Sequence, residues 1–413
     1  MVGPSGGLPL RPREMRDRNR ALVLDAVVRH EPVTRAQLAA RTGLTKSSVS
    51  SIVGELLAAR LVVEQGAQRG RDLGRPGMAL ALARDGVAGL GLEVNVDYLA
   101  ACVVDLARRS RVQYVEVGDN RARGPAAVVE LLGRLAAAAV AAAATQSLTI
   151  SATCVAVPGL VDAATGTVTR APNLGWRGVP LRQLLAGRVP ATLTPVLVEN
   201  EANVAALGEL WFGDGAGLGD YVHISGEIGV GAGIVVGGRL FRGAHGHAGE
   251  LGHTTLEPHG DPCTCGGRGC LELFAGQEAI LRAAGLDPAV STTTGRADGP
   301  VSALVERLGA GDRRAVAALE VAGRSLGVAV ASLVKLVDPD TVVLGGIYAV
   351  LAPWLSGSFR AALLEGIPMT RATPPRVAIS ALGPDAAARG AAGLVTAGML
   401  ARPGALLSGS ARA

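Results

Sequence analysis

The sequence predicts a winged helix-turn-helix head followed by a two-lobed α/β body. Three observations carry that prediction: a basic excess confined to the first 85 residues, three short capped helices ahead of an arginine-rich hairpin, and strand-turn-helix units that recur to the end of the chain. The 413 residues are 49% hydrophobic, enough to give two or three domains a core.

The charge sits in the head. Residues 1–85 hold 14 Arg or Lys against 8 Asp or Glu, while the remainder holds 26 against 27. This asymmetry is the electrostatic footprint of a nucleic-acid-binding arm on a neutral body, although a basic solvated surface would give the same count. Within the head the pattern reads as helices at Arg20–His30, Arg35–Arg41 and Lys46 to about Ala59. Pro32 and Gly43 separate them, and Thr34 and Thr45 stand as N-caps. Val49, Ile52, Val53 and Leu56 recur at helical spacing and are expected to pack on Leu22, Val27, Leu38 and Ala39. Thr45, Lys46, Ser47, Ser48, Ser50 and Ser51 are left to face outward. Small hydroxyls and a lysine on the first turns suit a recognition helix, because they donate to phosphates and base edges without steric obstruction. A strand at Leu61–Glu64, a loop over 66–77 and a strand at Met78–Leu82 read as a wing. Its Arg69, Arg71 and Arg75 are placed to approach a minor groove or adjacent phosphates. An ordinary three-helix bundle with a basic linker is the plainer alternative.

Beyond residue 85, strands are expected at Gly89–Val94, Leu99–Val104, Val112–Val117, Ser151–Val157, Tyr221–Ile224, Gly233–Val236 and Thr341–Leu344, with a helix at Pro125–Ala144. The division expected is a head over 1–85, a first lobe over 86–200 completed by a C-terminal helix over 385–402, and a second lobe over 201–384. The apolar stretch Leu131–Ile150 is mostly alanine and is interrupted by Arg134 and Gln146, so it reads as a core helix and not a membrane span. The early arginines are not followed by the apolar run of a secretory signal, which points to the cytoplasm. Cys102 and Cys154 lie in apolar runs and read as inert core residues.

Five segments carry a family resemblance: Ala171-Pro-Asn-Leu-Gly-Trp176, Glu199-Asn-Glu-Ala-Asn203, Arg242-Gly-Ala-His-Gly-His-Ala-Gly-Glu-Leu-Gly-His253, Cys263-Thr-Cys-Gly-Gly-Arg-Gly-Cys-Leu-Glu272 and Asp338-Pro-Asp-Thr-Val-Val-Leu-Gly-Gly346. In their order and spacing the chain resembles the ROK family, which groups sugar-responsive repressors with sugar kinases on the actin-like, ribonuclease H-like ATPase fold. The resemblance implies that fold for the body, and the head matches the repressor branch.

His253, Cys263, Cys265 and Cys270 supply one imidazole and three thiols close together, a closed four-ligand set that points to one structural zinc ion per chain. The family motif binds zinc in the same way. His245, His247 and His259 read as loop residues. The resemblance further implies that Asn173, Asn200, Glu201, Glu250, His253 and Glu272 line a sugar pocket, with His253 serving both metal and sugar. Such a mixture of carboxylates, amides and an imidazole suits a ring of hydroxyls, each a donor and an acceptor.

No ATP binding is expected. Family kinases carry an Asp-x-Gly-Gly-Thr turn where this chain has Glu93, Val94, Asn95, Val96 and Asp97, which removes both glycines and adds a carboxylate. Glu227 stands near a kinase threonine. The resemblance also places Glu201 at the position of the kinase catalytic aspartate, with an extra methylene that displaces the carboxylate. The reading is therefore a sugar-responsive regulator, most simply a repressor. It is expected to bind operator DNA as a homodimer or a dimer of dimers and to respond to glucose, an N-acetylated amino sugar, xylose or one of their phosphates. A glucokinase-like sugar kinase and a regulator controlled by a protein partner are the alternatives.

Overall fold

The computed structural model describes residues 12–68, 77–190, 193, 196–213, 218–288, 300–367, 373–404 and 406. The head comprises α1 (Pro12–His30), β1 (Val33–Thr34), α2 (Arg35–Thr42), α3 (Lys46–Ala58), β2 (Val62–Gln68) and β3 (Gly77–Leu82), with strand order β1-β3-β2. Both expected caps form. The Thr34 side chain accepts from the Gln37 amide while the Gln37 side chain accepts from the Thr34 amide, and Gly43 ends α2 in the left-handed region at φ 70°. Thr45 accepts from the Ser48 amide at 3.2 Å and opens α3.

Two expectations for the head need correction. Helix α1 begins at Pro12 and not at Arg20. Arg16 and Arg20 both pair with Glu55 on α3, which gives the earlier turns something to hold. Leu22 is 42% exposed, and Val23, Leu24 and Val27 turn inward against Leu38, Val49, Ile52, Val53 and Leu56 instead. The helix is rotated so that Val23, Leu24 and Val27, not Leu22, meet the core of the head.

The first lobe contains β4 (Gly86–Val94), β5 (Tyr98–Asp105), β6 (Ser110–Val117), α4 (Asn120–Thr145), β7 (Leu148–Val157), β8 (Leu160–Asp162), β9 (Thr167–Ala171), β10 (Trp176–Val179), α5 (Leu181–Ala186) and β11 (Val196–Asn200), and α6 (Glu201–Phe212) leads on from it, packing on β13 as well as on α12. Its five-stranded sheet has the order β11-β7-β4-β5-β6, antiparallel from β4 to β6 and parallel across β4, β7 and β11. Helix α4 starts with one turn capped by Asp119, breaks at Gly124, and runs on from Pro125, where the sequence places its start.

The second lobe contains β12 (Tyr221–Gly226), β13 (Val230–Val236), β14 (Arg239–Leu240), α7 (Glu272–Ala275), α8 (Gln277–Ala284), α9 (Pro300–Gly309), α10 (Arg313–Val337), β15 (Thr341–Gly346), α11 (Ile347–Gly366) and β16 (Arg376–Ile379). Its sheet has the order β14-β13-β12-β15-β16. Two such sheets flanked by helices are the paired lobes of the actin-like fold. By length and composition α4, α10 and α11 could each cross a membrane. Here the apolar side of α4 packs on the first sheet, and α10 and α11 pack on each other.

Helix α12 (Ala386–Ala401) ties the parts together. It lies on β4, β5 and β7 and runs along α6, at a spacing so close that a Cβ on Gly390 would stand 1.8 Å from the Val204 carbonyl oxygen. Its far end delivers Met399 into the core of the head, beside Leu24 and Leu56. One helix thus touches both the element that begins at Glu201 and helix α1 of the head.

Candidate sugar pocket, metal knuckle and DNA face

A cleft lies between the lobes. All six residues expected there, Asn173, Asn200, Glu201, Glu250, His253 and Glu272, line it. They come from separate elements. Asn173 sits in a single 3₁₀ turn closed by Gly175, Asn200 ends β11, Glu201 opens α6, and Glu250 and His253 flank a short turn beside β13. Glu272 opens α7 and accepts from the Asn173 side chain and the Val230 amide.

The positions have local explanations too. Asn200 caps α6 by accepting from the Asn203 amide at 3.0 Å, and its Nδ2 donates to the Gly159 carbonyl at 2.9 Å. Behind it, buried Glu199 accepts from the Asn203 side chain at 3.1 Å and pairs with Arg242 at 2.7 Å. Glu201 is 8% exposed and accepts from the Ser225 hydroxyl at 3.0 Å. Burial pushes its carboxyl up to about 7, against the Ser225 hydrogen bond.

Sequence reasoning missed Asn95 and Glu227 as pocket residues, although both were noted as departures from a phosphate site. Burial comes first, then the fields of Glu201, Glu93 and Asp97, in holding Glu227 well above the usual carboxylate range. The β4–β5 turn is closed on itself. Asn95 Oδ1 accepts from the Val96 amide at 2.6 Å, the Asn95 amide donates to the Tyr98 carbonyl at 2.9 Å, and the Tyr98 hydroxyl donates to Glu93 at 2.5 Å. Amides spent in this way are not free to cradle a phosphate. A smaller neighbouring cleft is lined by Asp97, Tyr98, Glu227, Gln277 and Gly346 among others.

His253, Cys263, Cys265 and Cys270 converge, with one ligand atom of each within 4.8 Å of all the others. The Cys265 and Cys270 sulfurs are 3.7 Å apart, and Cys263 Sγ lies 3.8 Å from His253 Nδ1. A tetrahedron with metal–sulfur bonds of ~2.3 Å has edges of ~3.8 Å, so the set fits such an ion. Burial and the adjacent thiols push Cys270 up to about 12, a cost that a cation would remove. Gly269 makes the fold of the knuckle possible, since at φ 56° a Cβ there would lie 1.8 Å from the Glu257 carbonyl oxygen. While Nδ1 of His253 faces the thiols, its Nε2 lies 3.9 Å from Glu250. The ring therefore stands between knuckle and cleft. His245, His247 and His259 are not among the clustered ligand atoms.

In the head, Thr45, Lys46, Ser47, Ser50 and Ser51 are exposed and Ser48 is half-buried. The Thr45 hydroxyl is shared with Ser47 at 3.0 Å and Ser48 at 2.9 Å, so part of the expected polar face also shapes the cap. Arg69, Arg71 and Arg75 lie outside the described residues.

The ROK family pattern matches residues 89–397, and the MarR family pattern matches residues 17–71. The putative xylose repressor of Caldicellulosiruptor sp. (strain Rt8B.4) is 30% identical over 398 residues, covering 93% of this chain and 97% of that one. A crystal structure of a ROK family transcriptional regulator, described as a homologue of the E. coli MLC protein, superposes with a TM-score of 0.74 at 26% identity, over 96% of this chain and 98% of the other. The ROK family glucokinase from Streptomyces griseus, in complex with glucose and AMPPNP, matches with a TM-score of 0.63 at 31% identity, over 74% of this chain and 98% of its own. With the head and the body each matched, and a regulator of the same build alike along almost the whole length, this chain belongs to the ROK family, on its branch of DNA-binding transcriptional regulators.

Proposed function

We propose that the protein is a sugar-responsive repressor that holds operator DNA through the Thr45–Ser51 face of α3 and the wing arginines. On this reading the inter-lobe cleft is the sensor, and a zinc ion held by His253, Cys263, Cys265 and Cys270 fixes its wall. The observation that carries the reading is the convergence of Asn173, Asn200, Glu201, Glu250, His253 and Glu272 on one cleft. That cleft adjoins α6, and α12 runs from α6 into the core of the head. A ligand that draws the lobes together would shift α6 and α12 and with them the head, provided it binds the two arrangements differently.

The operator form is a homodimer on two half-sites, or a dimer of such dimers, because one head reads only one half-site. The protein acts in the cytoplasm, where its DNA is, and does not consume ATP. Xylose is the first effector to try, since relatives in Caldicellulosiruptor and Bacillus are called xylose repressors. Operator titrations on purified protein with D-xylose, D-glucose and N-acetyl-D-glucosamine, without ATP or any second protein, test the reading. Release of operator by one sugar supports it, whereas operator binding indifferent to every sugar would favour control by a protein partner.

A further inference from the structure

The ionisable side chains that face the cleft are carboxyls, with His253 beside them. Glu201, Glu227, Glu250 and Glu272 line it, and among the described residues no lysine or arginine does. The arginines on surrounding elements are committed elsewhere. Arg242 pairs with buried Glu199 at 2.7 Å, Arg121 with Glu278 at 2.7 Å, and Arg170 donates to the Thr264 carbonyl at 3.1 Å. Two backbone donors beside the cleft, the Asn203 and Val230 amides, are also in use. The start of α6 is capped by Asn200 and carries Glu201 in its first turn, and the Val230 amide serves Glu272. Past Glu227 the neighbouring cleft offers Asp97 and again no cation among the described residues. Burial and the crowding of Glu201, Glu93 and Asp97 already hold Glu227 far above its usual range.

A neutral sugar fits such a wall, because each hydroxyl can donate to a carboxylate and accept from an asparagine N–H. A phosphate does not. It brings a charge of about −1.5 to −2 and three acceptor oxygens, and needs cations or free amides to meet them. A uronic acid poses the same difficulty at nearly the size of the parent sugar. We infer that the pocket admits sugars without an anionic group and rejects their phosphates and uronates. This rests on the cleft being a sugar sensor, and it narrows the effector to the free sugar as it enters the cell, ahead of any phosphorylating step.

The test uses the full-length protein, with thermal shift and operator release as readouts, at low and high salt. D-Xylose, D-glucose and N-acetyl-D-glucosamine are each set beside a charged counterpart: D-xylose 1-phosphate, D-glucose 6-phosphate with D-glucuronate, and N-acetyl-D-glucosamine 6-phosphate. The expected result is that a neutral sugar acts and its charged counterpart needs on the order of 100-fold more, with the gap narrowing at high salt. A phosphate or uronate that acts at the same or lower concentration than its neutral parent overturns the inference. So does a gap that salt does not change, because rejection would then come from size. If no sugar of either kind stabilises the protein or moves it from operator, the sugar-sensor reading fails first, and the two failures are told apart.

Discussion

The two ends of the cleft make an instructive contrast. At one end Asn173, Glu250, His253 and Glu272 converge with polar atoms turned to the open space, held in place by the knuckle and by hydrogen bonds from Asn173 and the Val230 amide. At the other, Glu93, Asn95 and Tyr98 bond among themselves, and Asp97 and Glu227 stand where an anion would need donors. The backbone frame of both ends is that of the kinase relatives, as the match to a glucokinase shows. What separates a pocket from a closed turn here is side-chain chemistry: which donors remain unspent and what charge surrounds them.

Removing the metal should break the contrast most severely, because it takes away the wall of the open end. The full-length protein is expected to carry one zinc per chain by elemental analysis. Cys265→Ser should lose it together with all sugar response, while sugar-free operator affinity stays intact, since the head core does not include the knuckle. A metal-free protein that still responds fully to sugar would show that the pocket stands without the knuckle.

The closed end predicts an absence. With a sugar that binds, the protein should consume no ATP, because the first turn has no glycine and its Asn95 and Val96 amides are already bonded. Turnover on the order of 1 per second or faster would erase the difference between the two ends.

A narrower test acts inside the open end. Glu250→Ala removes one acceptor beside His253 and leaves a sugar hydroxyl unpaired, at a cost of about 1 to 3 kcal/mol, or roughly tenfold to a hundredfold in sugar affinity. Operator binding without sugar should be unchanged. If the variant releases operator at the wild-type sugar concentration, Glu250 does not touch the effector.

The contrast also marks how far the sequence could be read. The caps at Thr34 and Thr45 and the strand cores were legible because they depend on neighbours within a few residues. The six residues that line the cleft could be named because the resemblance to the ROK family carried them, not because any one of them has a local mark. Other features were not legible. Asn95 and Glu227 read as defects in a phosphate site, and only the placement of the two lobes makes them walls of the cleft between them. The inward turn of Val23 in place of Leu22 depends on where α3 lies, which heptad-scale spacing does not fix. The contribution of Met399 to the head core is a contact across the whole chain, and an alanine- and glycine-rich helix carries no mark of which core its end will join.

Glu201 lies at the border of the two ends and gives the smallest and most discriminating effect. Burial raises its carboxyl from an ordinary 4.5 to about 7, and its field acts on Glu227, so the two titrate as a pair. Between those values the folded protein keeps a proton that the unfolded chain has released. The stability this contributes is complete below about pH 4.5 and is lost as pH rises through about 7. Glu201→Gln keeps the length of the side chain and still accepts from Ser225, but it has no charge to bury. The variant should match wild type near pH 5 and melt a few degrees higher near pH 8, where wild type must hold an anion beside Glu227. Its sugar affinity should change only a few-fold and depend less on pH across that range, since Glu227 still titrates there. Melting curves of both proteins across the same buffers decide the matter. If the difference between them does not grow with pH, Glu201 is ionised throughout, and the boundary between the ends is set by Glu227 and Asp97 without it.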